Sequence, residues 1–243
     1  MNFFRQPVII RGVNHSGTRA LVKILEILGS DAGQINNIWY ENKFFLDLHK
    51  NLINRISTKG WTDTIYDTDF LKGGYKDNFE FLDFINEKLS NELEKYYNSP
   101  YENLWHWKCP SSVFFENTWN EIFPNAYNIV IERNPNNVAR SLMRDKLINN
   151  YDDALEFHKT MSEKIFSITK KKMIKVRYEN LENEIEKIID FIPLNVTNEK
   201  LKAAISFTNK DSLIRLNKSL NYNIKNIYTQ LKINLYKLKK YEI

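Results

Sequence analysis

The sequence predicts an α/β fold: a central parallel sheet with helices packed on both faces, a three-layer sandwich. Short apolar runs of strand length alternate with longer stretches of helical spacing, the pattern of strands joined by crossover helices. Glycine and proline are scarce, 7 and 6 in 243 residues, so a glycine between a strand and a helix is informative about the turn there. A chain of this length buries a core of its own without a disulfide or structural metal.

Each element follows from its local pattern. Pro7 to Arg11 (PVIIR) is a short apolar run bounded by Pro7 and Gly12, a buried strand. In Thr18 to Leu28 the apolar residues Leu21, Ile24, Leu25 and Leu28 share one helix face, and Gly29 stands where a helix stop belongs. Phe79 to Tyr97 reads as a long amphipathic helix and Leu104 to Lys108 as a strand. Ser111 is expected to cap a following helix that runs through Phe123. Tyr127 to Glu132 (YNIVIE) is a strand, turned at Asn134-Pro135 into a helix through Arg144. Asp152 to Lys171 reads as helix, Met173 to Arg177 as strand and Leu181 to Phe191 as helix.

No fixed-period repeat or Pro/Gly/Ser linker interrupts the chain, so one domain over 1–243 is expected, with its core in 7–181. The tail 211–243 is basic, rich in Lys and Asn with almost no acid. Its apolar residues, from Leu213 and Leu216 to Leu231 and Leu235, keep a near-helical spacing. A helical hairpin packed on the sheet, a partner-binding arm and a loosely ordered end are all compatible with that spacing.

The 35 Lys+Arg against 30 Asp+Glu leave a formal charge of +5, an excess that favours an anionic ligand but is too small to diagnose nucleic-acid binding. No nucleic-acid partner is therefore expected. One cysteine, Cys109, forms no internal disulfide, and with four histidines it gives no zinc framework. The apolar run near the start is too short for a secretory signal, and none reaches the roughly 18 to 20 residues of a membrane span. A cytoplasmic location and no transmembrane segment are the expectation.

Two strand-to-helix corners carry the chemistry. In the first, Gly12-Val-Asn-His-Ser-Gly-Thr-Arg19 joins a strand to a helix that begins near Thr18. Backbone N–H groups and the positive end of the helix dipole there suit a phosphate or sulfate. The spacing is not that of a Walker A loop, and no Lys precedes Thr18. The bland alternative is a tight turn that merely needs glycine. In the second corner, Arg133 ends a strand and Ser141 lies eight residues on along a helix, a guanidinium and a hydroxyl suited to a terminal phosphate. Alternatively, Arg133 pairs with a carboxylate and Ser141 is an ordinary helix residue.

GVNHSGTRAL resembles the 5′-phosphosulfate loop of the sulfotransferases that use 3′-phosphoadenosine 5′-phosphosulfate, above all the glycan-modifying Golgi-type and bacterial members (GxxxxGT(R/S)xL). Arg133 to Ser141 resembles the same family's 3′-phosphate motif, RxPxxxxxS. Trp107-Lys-Cys-Pro110 and the residues to Phe115 are similar to its intervening Lys segment, and Val176-Arg-Tyr-Glu-Asn-Leu181 to its RYEDL stretch. These matches run from about Pro7 to Leu181 and leave 50–100 and the tail uncovered, where acceptor specificity is expected.

The resemblance implies a P-loop nucleoside-triphosphate-hydrolase-like fold, that co-substrate, no metal, and an acceptor hydroxyl on a glycan or small molecule. It implies donor contacts from Asn14, His15, Ser16, Gly17, Thr18, Arg19, Arg133 and Ser141. Lys108 is the expected catalytic cation. Many relatives carry Lys or Arg immediately before the (S/G)GT triplet; this chain has His15, whose imidazolium would take that role if the donor raised its pKa. Glu41, in a segment resembling the glycan enzymes' ENExxFF stretch, is the expected base, with His49 and His106 as alternatives. Trp39, Tyr40, Phe44 and Phe45 are candidate acceptor-site walls. Two rival readings are a small-molecule or nucleotide kinase and a catalytically impaired nucleotide-binding module of the same fold.

Overall fold

The computed structural model describes residues 6–36, 39–77, 79–97, 104–168 and 172–209; the tail 211–243 lies outside them. Four parallel strands form the central sheet: β1 (Val8–Arg11), β4 (His106–Lys108), β5 (Tyr127–Glu132) and β6 (Met173–Arg177), in the order β4-β1-β5-β6. A hairpin of two short strands, β2 (Ile35–Asn36) and β3 (Glu41–Asn42), stands apart. The helices are α1 (Thr18–Leu28), α2 (Lys43–Ile56), α3 (Trp61–Ile65), α4 (Leu82–Tyr97), α5 (Glu116–Ile122), α6 (Pro135–Arg144), α7 (Tyr151–Ile168), α8 (Leu181–Phe191) and α9 (Asn198–Phe207).

Alternation along each strand divides the core into two layers. Val8 and Ile10 of β1, with Ile129 and Ile131 of β5, pack toward α1, α8 and α9; Ile9 and Val130 face the opposite layer with α2, α4, α5 and α7. Apolar side chains on both faces are what a buried parallel strand requires. The second layer is aromatic. Phe45 stacks on Trp107 with centroids 4.2 Å apart, and Trp119 meets Phe45 edge-on.

Boundaries of α1, α8, β5 and β6 coincide with those read from the sequence. Gly29 closes α1 at φ 108°, its N–H bonded to the Leu25 and Glu26 carbonyls, a left-handed cap that glycine adopts without steric cost. The long helix starts later than expected, at Leu82, and Asn150 with Tyr151 starts α7 a residue early. Ser111 does not cap a helix. It lies buried inside a 3-10 turn, Pro110–Phe115, begun by Pro110 after Cys109, and α5 starts only at Glu116. Proline at the first position fixes the turn's entry angle and displaces the cap that serine would have made.

Because the strands are parallel, the loops after β1, β4, β5 and β6 leave from one edge. β1 pairs directly with β4 and β5, Ile9 opposite Trp107 and Ile10 opposite Ile129. Beneath this edge Arg11 forms a buried ion pair with Glu116 and donates Nε to Asn128 Oδ1 at 2.8 Å, tying β1 to α5 and β5. Among the described residues no helix is long and apolar enough to cross a membrane.

Candidate active site

The cleft lies at the carboxyl edge of the sheet, where parallel α/β folds place ligands. Its first wall is the loop from Gly12 to Gly17. A Cβ on Gly12 would lie 2.9 Å from the Ile131 carbonyl oxygen, so only glycine lets the loop pass β5. Gly17 has φ 102°, and a Cβ there would run into the Tyr178 ring. It is also the N-cap of α1, and no side chain among the described residues caps that helix. The first-turn amides of α1 therefore open toward the cleft with the positive end of the helix dipole behind them.

The second wall is the corner between β5 and α6. Asn134 caps α6 by accepting from the Asn136 amide, and its own N–H donates to Glu179 Oε1 at 2.9 Å. Arg133 is thereby turned across to the first loop. Its Nη1 donates to the His15 carbonyl oxygen at 3.0 Å, its guanidinium lies 4.6 Å over the Tyr178 ring, and its buried Nε has no hydrogen-bond partner among the described residues. Ser141 Oγ lies 3.0 Å from His15 Nδ1. The two corners, 118 residues apart between His15 and Arg133, thus meet.

The third wall joins residues whose own segments offer no reason to pair them. Lys108, at the end of β4, donates Nζ to Glu41 Oε1 at 2.7 Å and to the Trp39 carbonyl at 3.1 Å. The β2–β3 hairpin delivers Glu41, and Asn42 fixes its position by capping α2 and donating to the Ala32 carbonyl. Both charged side chains are nearly buried, at 6% and 7% exposure, and Glu41 Oε2 has no hydrogen-bond partner among the described residues. An ammonium and a carboxylate with one unpaired oxygen can together stabilise a developing anion and accept a proton.

Most of the predicted site residues come together here. Asn14, His15, Gly17, Thr18, Arg19, Glu41, Lys108, Arg133 and Ser141 all line the cleft. Ser16 does not. Its N–H is bonded to the Val13 carbonyl, its Oγ is buried, and the residue lines a separate cavity with His158 and Ser162. A tight turn at 13–16 engages that amide inside the loop. Asn14 braces the loop by donating Nδ2 to the Tyr66 hydroxyl at 2.8 Å. Arg19 is half-buried in the cleft, and burial lowers its pKa against the pull of Asp145 and Glu41.

His15 is held neutral by its protein surroundings. Burial lowers its pKa to about 4; Asp145, 3.5 Å from Nδ1, opposes this, while Arg19, Arg144 and Lys108 reinforce it. A raised value would have to come from the negative charge of a bound ligand. His49 and His106 are structural. His49 Nδ1 bonds the Phe45 carbonyl at 2.6 Å while Nε2 accepts from Trp119 Nε1, and His106 bonds Ser30 Oγ at 2.8 Å. Neither lines the cleft, and both are fully buried. Of the expected aromatic walls, Trp39 alone lines it. Phe44 and Phe45 pack in the aromatic core, and Tyr40 packs against the opposite layer.

Tyr66, Arg144 and Tyr178 also line the cleft and are not among the residues expected from the sequence. Tyr178 stood inside the quoted RYENL stretch, and Arg144 lies one helical turn beyond Ser141, a spacing that places both on one face. Nothing in the sequence around Tyr66 signalled its position.

A family profile described as the sulfotransferase family matches residues 7–198. The chain belongs to the sulfotransferase family. Among solved structures it is similar to a sulfotransferase domain from the curacin biosynthetic pathway, at 16% identity and TM-score 0.53 over 82% of this chain and 77% of that one. It is also similar to a sulfotransferase domain from the Synechococcus PCC 7002 olefin synthase, at 17% identity and TM-score 0.52 over 82% and 78%. At such identity these similarities establish the fold. No curated protein sequence matches the chain significantly. Family and fold together support sulfuryl transfer as the activity of this P-loop-like sulfotransferase.

The buried histidines make its stability depend on pH. His15, His49 and His106 have pKa values of about 4, about 4 and about 3, all below the ordinary 6.5 and all because of burial. The unfolded chain therefore binds more protons than the folded one between pH 6.5 and about 4, and stability falls as pH drops through that window. Urea titrations should show an unfolding free energy that declines from pH 7 toward pH 4.5, by at most about 1.4 kcal/mol per pH unit for each histidine. A flat or rising profile would contradict their neutral burial.

Proposed function

We propose that this sulfotransferase moves a sulfuryl group from 3′-phosphoadenosine 5′-phosphosulfate to an acceptor hydroxyl, with a carbohydrate as the acceptor class. The observation that carries the reading is the bond from Arg133 Nη1 to the His15 carbonyl, which brings the two phosphate-motif corners into one cleft. The residues fit such a donor. Among the described residues no side chain caps α1 and the buried Nε of Arg133 has no partner, and Arg19, Lys108, Arg133 and Arg144 give the cleft an excess of positive charge. When bound, the donor supplies an activated sulfuryl group and a nucleotide phosphate as leaving group.

The chain's own residues divide the work by position. The amides of Gly17 to Arg19 and the Thr18 hydroxyl hold the 5′ end, where a helix N-terminus favours negative charge. Arg133 and Ser141 take the terminal phosphate. Lys108 stabilises charge at the reacting end, and Glu41, through its unpaired oxygen, accepts the proton of the attacking hydroxyl. His15, neutral without a ligand, stands where many relatives carry a cation, and the negative charge of a bound donor would raise its pKa. No metal is required, since placement and fixed charges suffice for transfer of this kind. The carbohydrate class is supported by the resemblance of the GTRAL and Glu41 segments and by Trp39, 37% exposed at the cleft, where an aromatic face can meet a sugar ring. The proposed catalytic unit is one domain.

Two measurements test the assignment. By calorimetry adenosine 3′,5′-bisphosphate should bind at least about tenfold more tightly than AMP, because two phosphate sites act on it; equal affinities would contradict the roles of Arg133 and Ser141. With a saccharide acceptor that supports turnover, Glu41→Gln should lower kcat by about 10²- to 10⁴-fold, and Lys108→Ala should cut turnover with a smaller effect on bisphosphate affinity. An unchanged rate in either variant removes that residue from the catalytic set.

A further inference from the structure

Resting on the proposed placement of the donor's terminal phosphate beside α6, we infer that Arg144 is a specificity-determining cation for that phosphate and that Ser141 chiefly positions it. The RxPxxxxxS pattern ends at Ser141, one helical turn short of Arg144. In the fold the two residues are joined. Arg144 Nη2 donates to Ser141 Oγ at 2.9 Å, and Arg144 Nε donates to Asp145 Oδ1 at 2.9 Å. Asp145 also lies 3.5 Å from His15 Nδ1, so the guanidinium is held between the helix end and the first loop. Its side chain is 66% exposed, which keeps its charge hydrated, yet it lines the same cleft as Arg133.

The hydroxyl's capacity decides the division of labour. Ser141 Oγ has one proton and two lone pairs. One lone pair accepts from Arg144, and His15 Nδ1 sits 3.0 Å away. With neutral His15 accepting at Nδ1, the serine proton is engaged and none remains for a phosphate oxygen. With His15 donating instead, both lone pairs are filled and one proton remains. In either arrangement, a phosphate oxygen reaching Ser141 Oγ also reaches a guanidinium 2.9 Å from it, whose Nη1 lies outside its three contacts with Ser141 and Asp145. A planar cationic fork makes stronger, two-point contact with phosphate than a neutral hydroxyl does. Asp145 keeps the fork oriented in advance, which reduces the ordering cost of binding.

The test compares adenosine 3′,5′-bisphosphate with AMP on the wild type and on Arg144→Gln, Ser141→Ala and Arg140→Gln by calorimetry, with circular dichroism melts to establish folding. Arg140 is the control, an exposed arginine on the same helix and outside the cleft. Arg144→Gln should lose about tenfold or more in bisphosphate affinity while AMP affinity stays within about twofold, and Arg140→Gln should change neither. Ser141→Ala should lose less than Arg144→Gln. A folded Arg144→Gln protein that keeps the wild-type preference would overturn the inference, as would a larger loss in Ser141→Ala. A wild type with no preference for the bisphosphate overturns the terminal-phosphate reading itself, and this inference with it.

Discussion

The site depends on one hydrogen bond between distant parts of the chain, from the Arg133 guanidinium to the carbonyl oxygen of His15. It links the loop after β1 to the corner after β5, which are neighbours only because those strands pair in parallel register. The carbonyl is available because His15 has positive φ, 69°, a left-handed step in a loop that also turns through Gly17. Tyr178, delivered from the end of β6, packs under both Arg133 and Gly17, so a third strand end braces the same junction. Loss of this junction would leave two ordinary turns.

Charge in the cleft is arranged, not merely accumulated. Arg133 lies over an aromatic ring, Arg144 is held by a carboxylate, and Lys108 is paired with Glu41. A buried ion pair is a poor device for stability, because removing two charges from water costs as much as their attraction returns. Glu41 and Lys108 are nonetheless nearly buried together, with one carboxylate oxygen left without a partner among the described residues. In the proposed function that oxygen is where the acceptor's proton goes, and the adjoining ammonium is where negative charge collects. The Arg11–Glu116 pair deeper in the sheet is different: it joins β1 to α5 beneath the site and lies outside the cleft.

What could be read from the sequence was what local pattern controls. The apolar spacing of α1, Gly29 behind it, and the runs YNIVIE and MIKVR gave their elements within a residue, because helix and strand periods leave direct marks on the order of residues. The two phosphate corners were legible for a similar reason: each is a short, contiguous segment. What escaped depended on contacts across the chain. Glu41 and Lys108 are 67 residues apart, and nothing in either segment announces the other. Ser16 looked like its neighbours in the loop, yet the turn at 13–16 directs it away from the cleft. His49 and His106 carried catalytic chemistry on paper, and Trp119 and Ser30 fix them in the core. Ser111 lost its cap role to Pro110.

The central claim is that both corners grip opposite ends of one nucleotide. A crystal structure with adenosine 3′,5′-bisphosphate tests it most directly. The account predicts a single nucleotide with its 5′-phosphate on the amides of Gly17 to Arg19 and its other phosphate against Arg133. Density placing the nucleotide away from the β1–α1 loop, or spanning neither corner to the other, would contradict it.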